Sequence, residues 1–251
     1  MKGSAFLTYE RPLLTCMVQA DNPMRIKELV ARAEGAEAFG MQFCKMKPEY
    51  RTEEVYRELF SHISPLPAYV TNYRHGYNVG KSDEELGREL LTLAECGATL
   101  CDVMGDYFAP CAGEMTEDNV AIKKQEALIG ELHERGAEVL MSSHVEKFIP
   151  AERVLEIALE HQRRGADISK IVTGAATMAE QIENLRIINL LSENLKIPFL
   201  FLTGGKCHLS RRLGGTLGNC MSLCVVEYDA LATKAQPLLS QMRNIRDYLE
   251  E

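Results

Sequence analysis

The stretch RRGADISKIVTG (163–174) closes one kind of structure and opens another. Arg163 and Arg164 end a segment of helical period. Gly165 supplies the left-handed turn that stops a helix, and Ala166 lets the chain turn inward before the apolar run ISKIV (168–172). The same glycine-alanine joint occurs upstream in EGAEAFGMQF (34–43), CGATLCDVMG (96–105) and RGAEVLMSSH (135–144). Repeated use of one helix-to-strand joint predicts repeated strand-helix units.

Working outward, eight short apolar runs read as strands: LLTCMV (13–18), AFGMQF (38–43), PAYVTN (67–72), TLCDVM (99–104), EVLMSSH (138–144), ISKIV (168–172), FLFLT (199–203) and SLCVVE (222–227). Between them lie amphipathic segments, among them 82–96, 116–135, 150–164 and 177–194, whose apolar residues recur at three- and four-residue spacing. Ser82 with Glu85 reads as a helix start. So does Thr116 with Asn119 after Glu117 and Asp118, while Pro150 fits a first turn. The last helix is predicted over 236–250. Strand-helix alternation implies a parallel sheet with right-handed crossovers. Eight units in 251 residues, with no linker, predict an α/β protein made of one (β/α)8 TIM barrel domain spanning 1–251. An open doubly wound sheet is the runner-up. VQADNPMRIKE (18–28), after the first strand, lacks the glycine fingerprint of dinucleotide binding.

Composition bounds the function. The net charge is −8, which argues against nucleic acid as a partner, since phosphate backbones need a basic face. No apolar run is long enough to span a membrane. The start MKGSAFLTYERPLLTC lacks a signal-type apolar core, being broken by Glu10, Arg11 and Pro12, so a cytoplasmic protein is expected. The eight cysteines include no C-x-x-C pair and read as reduced thiols, mostly in the core. A metal site on adjacent Cys207 and His208 is the weak alternative.

In such a barrel, chemistry sits at the C-terminal ends of the strands. Lys170 lies there, flanked by Ile168, Ile171 and Val172. The ordinary reading of a strand lysine is pairing with an acid or snorkelling to water. Here the apolar flanks leave room only towards the barrel mouth, where a dry amine becomes a nucleophile suited to Schiff-base formation with a carbonyl. His144 ends the preceding strand, so it should neighbour Lys170 and could shuttle protons. Arg74 and Arg211 would supply charge for an anionic substrate, through bidentate contacts to carboxylate. TGGK (203–206) is an alternative phosphate loop.

The pairing of VLMSSHVEKFIP (139–150) with GADISKIV (165–172) resembles type I 3-dehydroquinate dehydratase, which has an S-x-H strand end followed by a GADI-x-K strand. KCHLSRRLGGTLGN (206–219) resembles its Ser-Arg-Gly run and YVTNYRHGYN (69–78) its strand-three arginine region. The resemblance implies a barrel that removes water from a cyclic β-hydroxy ketone through an imine and an enamine, without metal or organic cofactor. It implies Lys170 as the imine-forming residue, His144 as general acid/base, Arg211 on the substrate carboxylate and Arg74 lining the site. Gln236 would stand for the closing-loop glutamine. The departures are specific. Where the family's second strand has E-x-R-x-D, this chain offers Gln42 and Cys44; the glutamate assisting the histidine falls near Asn78; the strand-four acid is Met104, although Asp102 is kept.

The expected partner is therefore a small keto-carboxylate, with 3-dehydroquinate as the substrate the resemblance favours. The alternatives are an imine-forming aldolase or dehydratase for another hydroxy-keto acid, and a non-catalytic paralogue that binds a small carboxylate. IINLLSENLKI (187–197) is a candidate face for a homodimer.

Overall fold

Eight strands pair in parallel in the order β7-β6-β5-β4-β3-β2-β1-β8. In the computed structural model, which describes Gly3 and residues 5–250 (the side chain of Glu250 excepted), each strand is followed by a helix. The first half runs β1 (Leu13–Val18), α1 (Pro23–Arg32), β2 (Ala38–Gln42), α2 (Glu53–Ile63), β3 (Ala68–Thr71), α3 (Asp83–Cys96), β4 (Leu100–Met104) and α4 (Asn119–Glu134). The second half runs β5 (Glu138–His144), α5 (Ala151–Arg163), β6 (Ile168–Ala175), α6 (Met178–Asn194), β7 (Phe199–Gly205), α7 (Ser210–Leu217), β8 (Met221–Cys224) and α8 (Leu239–Glu250). The molecule is a single (β/α)8 barrel. The basic start at residues 1 and 2 lies outside the described residues.

The ring closes at a seam. Among the described residues no ladder joins β7 to β8; instead the Cys220 amide donates to Phe199 O at 2.9 Å. The buried Asn219 side chain then acts as one more strand residue, its Oδ1 accepting from Phe201 N at 2.9 Å and its Nδ2 donating to Phe201 O at 3.0 Å.

Strand parity places the chemistry. Leu100, Leu140 and Ile168 point into the barrel with Leu13, Ala38 and Leu200 and fill its interior. Two residues further along the same three strands come Asp102, Ser142 and Lys170, and two beyond those Met104, His144 and Val172. Gly40 is the inward position of β2. A Cβ there would lie 2.1 Å from Met17 Sδ and 3.2 Å from the Tyr69 ring, so the glycine makes room for Met17 first and keeps the tyrosine ring from being crowded. The larger apolar cluster lies between sheet and helices, with Leu59, Leu90, Leu132 and Val139 fully buried. The eight cysteines are unbridged, five of them buried.

Ser82 and Glu85 form the expected capping box. At α4 the cap is Asp118, whose side chain accepts from Ala121 N; Thr116 sits too early and accepts from Asp118 N. The last helix starts at Leu239 rather than 236, because Pro237 O and Leu239 N are taken by Val225 at 3.0 and 2.9 Å and hold that segment extended. For the same reason β8 ends at Cys224, not Glu227. In the stretch 187–197, Ile187, Ile188 and Leu191 turn onto the barrel and are buried there.

Replacing Asn219 by Ala orphans an amide and a carbonyl at the seam, at about 1–3 kcal/mol each. Urea unfolding of Asn219→Ala should show a loss of about 3 kcal/mol; an unchanged midpoint would mean the seam closes without that side chain.

Candidate active site

Lys170, only 4% exposed, is the centre of a closed polar knot. Its Nζ lies 3.0 Å from Asp102 Oδ2, 2.6 Å from Tyr73 Oη and 3.1 Å from Tyr69 Oη. Both phenols donate to Asp102 Oδ2, Tyr73 at 2.6 Å, while Ser142 donates to Asp102 Oδ1 at 2.5 Å. Burial by itself would push the Asp102 carboxyl up. The Lys170 ammonium, His144 and the Ser142 and Tyr69 donors outweigh it, leaving Asp102 below the usual carboxylate range. Burial first, and the Asp102 charge second, raise both tyrosines well above their ordinary value, so they remain neutral phenols. The amine is dry, as expected, but not solitary: it is held as an ammonium in a buried ion pair.

His144 is organised from a loop that sequence reading missed. Its Nδ1 lies 2.6 Å from Glu114 Oε2, and its amide donates to the same oxygen at 3.0 Å. A carboxylate only accepts, so Nδ1 carries the proton that meets Glu114 and Nε2 is the ring nitrogen outside that bond. Glu114 takes a φ of 49°, unusual for a side-chain-bearing residue, and its surroundings enforce that turn. Ser143 donates to Glu114 O at 2.6 Å. Behind it, His161 bridges Ser143 and Ser169 at 3.1 and 2.9 Å, neutral because burial, with Arg164 adding, pushes it down to about 3. Buried Arg164 grips Gly105 O, Gln125 and Thr116 O at both ends of the loop. Asn78, the position expected to assist the histidine, instead donates to Asn72 and Tyr73 O at the far side of β3. The only signal for Glu114 was an acid in a long loop at the C-terminal end of a strand.

The two arginines expected to bind anion separate. Arg74 borders the cavity, but its guanidinium contacts Asp83 at 2.7 and 2.8 Å and Asp106 at 2.7 Å. Its charge is already matched, and it acts as a clamp between the end of β3 and the β4–α4 loop. Arg211 has one protein acceptor, Thr203 O at 2.5 Å, and no carboxylate partner among the described residues. Burial pushes it down to about 10. Gln236 is buried on the wall, accepting from Gln19 at 3.4 Å, and half-buried Gln42 lies 3.3 Å from His75. Lys45, also overlooked in the sequence, ties Gln19 to Leu231 O at 2.8 and 2.5 Å. TGGK forms no phosphate nest, since the Lys206 and Cys207 amides both turn onto Ala175 O at 3.1 Å. Cys207 and His208 gain no third metal-type ligand among the described residues.

Lys170, His144, Glu114, Arg211, Gln42 and Gln236 thus line one cavity of about 540 Å³ at the C-terminal mouth of the barrel. The family model for type I 3-dehydroquinase matches residues 114–251, more than half of the chain. The chain belongs to that family. Its match begins at Glu114 and takes in His144, Lys170, Arg211 and Gln236; the strands carrying Gln42, Tyr73 and Asp102 lie before it. In fold the chain is similar to 3-dehydroquinate dehydratase from Geobacillus kaustophilus, with a TM-score of 0.82 at 14% identity over 96% of this chain and 92% of that one. It is also similar to the type I enzyme of Clostridium difficile with covalently modified comenic acid (TM-score 0.77, 16% identity, 99% and 94% covered). The Enterococcus faecalis enzyme gives 0.74 at 16% identity, with 100% and 97% covered. No curated protein matches the chain.

If Arg211 receives a carboxylate, its affinity must follow the guanidinium charge, which is present below about 10 and lost above it. Calorimetry with cyclohexanecarboxylate should show binding that weakens as pH rises through about 10. Arg211→Gln should weaken it about 100-fold at neutral pH, the range for removing one side of a desolvated charge pair. Wild-type affinity in that variant would place the anion elsewhere.

Proposed function

We propose that this protein is a Schiff-base-forming hydro-lyase that converts 3-dehydroquinate to 3-dehydroshikimate and water. The observation that carries the reading is the meeting of a buried lysine, a carboxylate-oriented histidine and an unmatched buried arginine in one cavity. Membership of the type I 3-dehydroquinase family supports the choice of substrate.

Arg211 takes the substrate carboxylate and Lys170 attacks the ketone, releasing water to form an iminium. The iminium acidifies the neighbouring C–H, and His144 Nε2 removes that proton to give an enamine. The protonated imidazole, steadied by Glu114, then donates to the β-hydroxyl as it leaves. Water hydrolyses the conjugated imine and frees Lys170. No metal or organic cofactor enters these steps. The unbridged thiols fit the reducing cytoplasm, and the charge of −8 fits a small-molecule rather than a nucleic-acid partner.

A second reading rests on the cavity wall. Where the family carries charged side chains, this chain lines the cavity with Gln42, beside His75, and with Met104, and sets the buried Cys44 against the same imidazole. Hydrogen-bonding sites discriminate strongly between hydroxylated analogues, so the same imine chemistry on a different hydroxy-keto acid is the alternative.

The test is borohydride trapping with a panel of keto acids, read as a mass increase on Lys170, alongside ultraviolet detection of enone from 3-dehydroquinate. Enone formation supports the first reading, adduct without enone the second, and no adduct leaves a binding paralogue. Lys170→Met should lose both signals. It should also lose about 3–5 kcal/mol of stability, because it strands Asp102; adding Asp102→Asn should recover part of that without restoring turnover. Residual trapping in Lys170→Met would refute the covalent route.

Glu114→Gln should lower kcat about 100-fold with KM nearly unchanged, the usual consequence of losing a carboxylate behind a working histidine. Steady-state kinetics on 3-dehydroquinate would show it, and a KM effect alone would demote Glu114 to shaping the pocket.

A further inference from the structure

In the resting knot Lys170 has no lone pair to offer, since its three N–H groups meet three acceptors: Asp102 and the two phenols. Imine formation therefore needs a route for one proton before the nitrogen can attack. His144 does not supply it, because no hydrogen bond joins His144 to Lys170 among the described residues and its Nδ1 is held by Glu114. Tyr73 is placed for the task. Its hydroxyl is the nearest partner of Nζ, at 2.6 Å, and itself donates to Asp102 Oδ2 at 2.6 Å. Its ring meets the His144 ring edge-on at 5.3 Å on the cavity wall. Tyr69 makes the same pair of contacts from deeper in the barrel and at longer reach, 3.1 Å from Nζ.

Resting on the Lys170 reading above, we propose that Tyr73 is a catalytic residue that relays the proton between Lys170 and Asp102 during imine formation. Nζ passes a proton to Tyr73 Oη while the phenolic proton moves to Asp102 Oδ2. This leaves a neutral amine, a neutral carboxyl and an intact phenol. The amine forms the N–C bond, and the carbonyl electron pair moves to oxygen. Asp102 returns its proton through Tyr73 to that oxygen, giving a protonated carbinolamine beside a restored carboxylate. Loss of water from it yields the iminium, again facing Asp102. Charge stays paired at each stage, which matters because an unpaired charge at this depth is costly. The raised phenol values fit a relay in which no free phenolate accumulates. Division of labour follows: Tyr73 serves the nitrogen and the ketone oxygen, His144 the carbon and the leaving hydroxyl.

The experiment is time-resolved borohydride trapping of the intact protein with 3-dehydroquinate, comparing wild type, Tyr73→Phe and Tyr73→3-fluorotyrosine. Tyr73→Phe should form the Lys170 adduct about 100-fold more slowly, within the range for one acid/base group, while binding cyclohexanecarboxylate with wild-type affinity. Tyr73→3-fluorotyrosine, which keeps the hydroxyl, should stay within about fivefold of wild type. Adduct formation by Tyr73→Phe at the wild-type rate overturns the relay, and so does an equal slowing in both variants, which would mark a steric role. Should Tyr73→Phe not fold, a mono-, di- and trifluorotyrosine series at 73 decides: trapping rates that track phenol acidity support the relay, and flat rates overturn it. Absence of adduct in wild type with every keto acid would sink the Lys170 reading and this one together, whereas a wild-type adduct with an unaffected Tyr73→Phe sinks only the relay.

Discussion

The ion pair between Lys170 and Asp102 is the constraint around which the barrel interior is built. Both groups are almost wholly removed from water, and burying two charges costs several kcal/mol each unless the remaining hydrogen-bonding capacity is met. Here it is met. Ser142 satisfies one carboxylate oxygen, the two tyrosines and the ammonium share the other, and the phenol oxygens accept the remaining ammonium protons. Each partner depends on a different strand: β3 for Tyr69, β4 for Asp102, β5 for Ser142 and β6 for Lys170, with Tyr73 just past the end of β3. Gly40 on β2 makes room for Met17, which packs beside Tyr69 in the barrel. The knot therefore assembles only when the sheet has curled.

Around that fixed centre, the β4–α4 loop supplies Glu114, the partner of His144. A loop is a less precise platform than a strand, yet Glu114 must hold His144 within a hydrogen bond. The chain compensates with restraints from outside the loop. Arg164 and His161 reach in from α5, Gln125 from α4 and Arg74 from beyond β3. Arg74, bonded to Asp83 and Asp106, thus helps to shape the loop from the cavity's border. The same guanidinium chemistry gives two outcomes, and the deciding variable is whether carboxylates stand within reach.

Much of this was legible in the sequence. The glycine-alanine joints and the alternation of periods specify the barrel, because they record local backbone needs and which faces must be buried. Lys170 and His144 stand out because strand parity puts both at the mouth, on neighbouring strands. What could not be read was pairing across the interior. Asp102 looks like one acid in an apolar strand, and Tyr69 and Tyr73 like ordinary strand residues; only the curled sheet brings them to Lys170. Glu114 was hidden for a related reason, since a left-handed non-glycine residue leaves no mark in composition. The start of α8 was misplaced because residues 237–239 are held extended by a bridge to Val225, a contact with no local signature.

The matching of charges around the cavity also narrows what can enter it. Lys170 is answered by Asp102, His144 by Glu114 and Arg74 by Asp83 with Asp106. Arg211 alone among these cations faces the space without a carboxylate. One negative charge would complete the set, and a second would find no unmatched cation in the cavity wall among the described residues. The rest of the lining is amide, imidazole and phenol on one side and Met17, Met104, Val172, Leu202 and Leu223 on the other. That surface suits a compact monocarboxylate with a few hydroxyls and a hydrocarbon face.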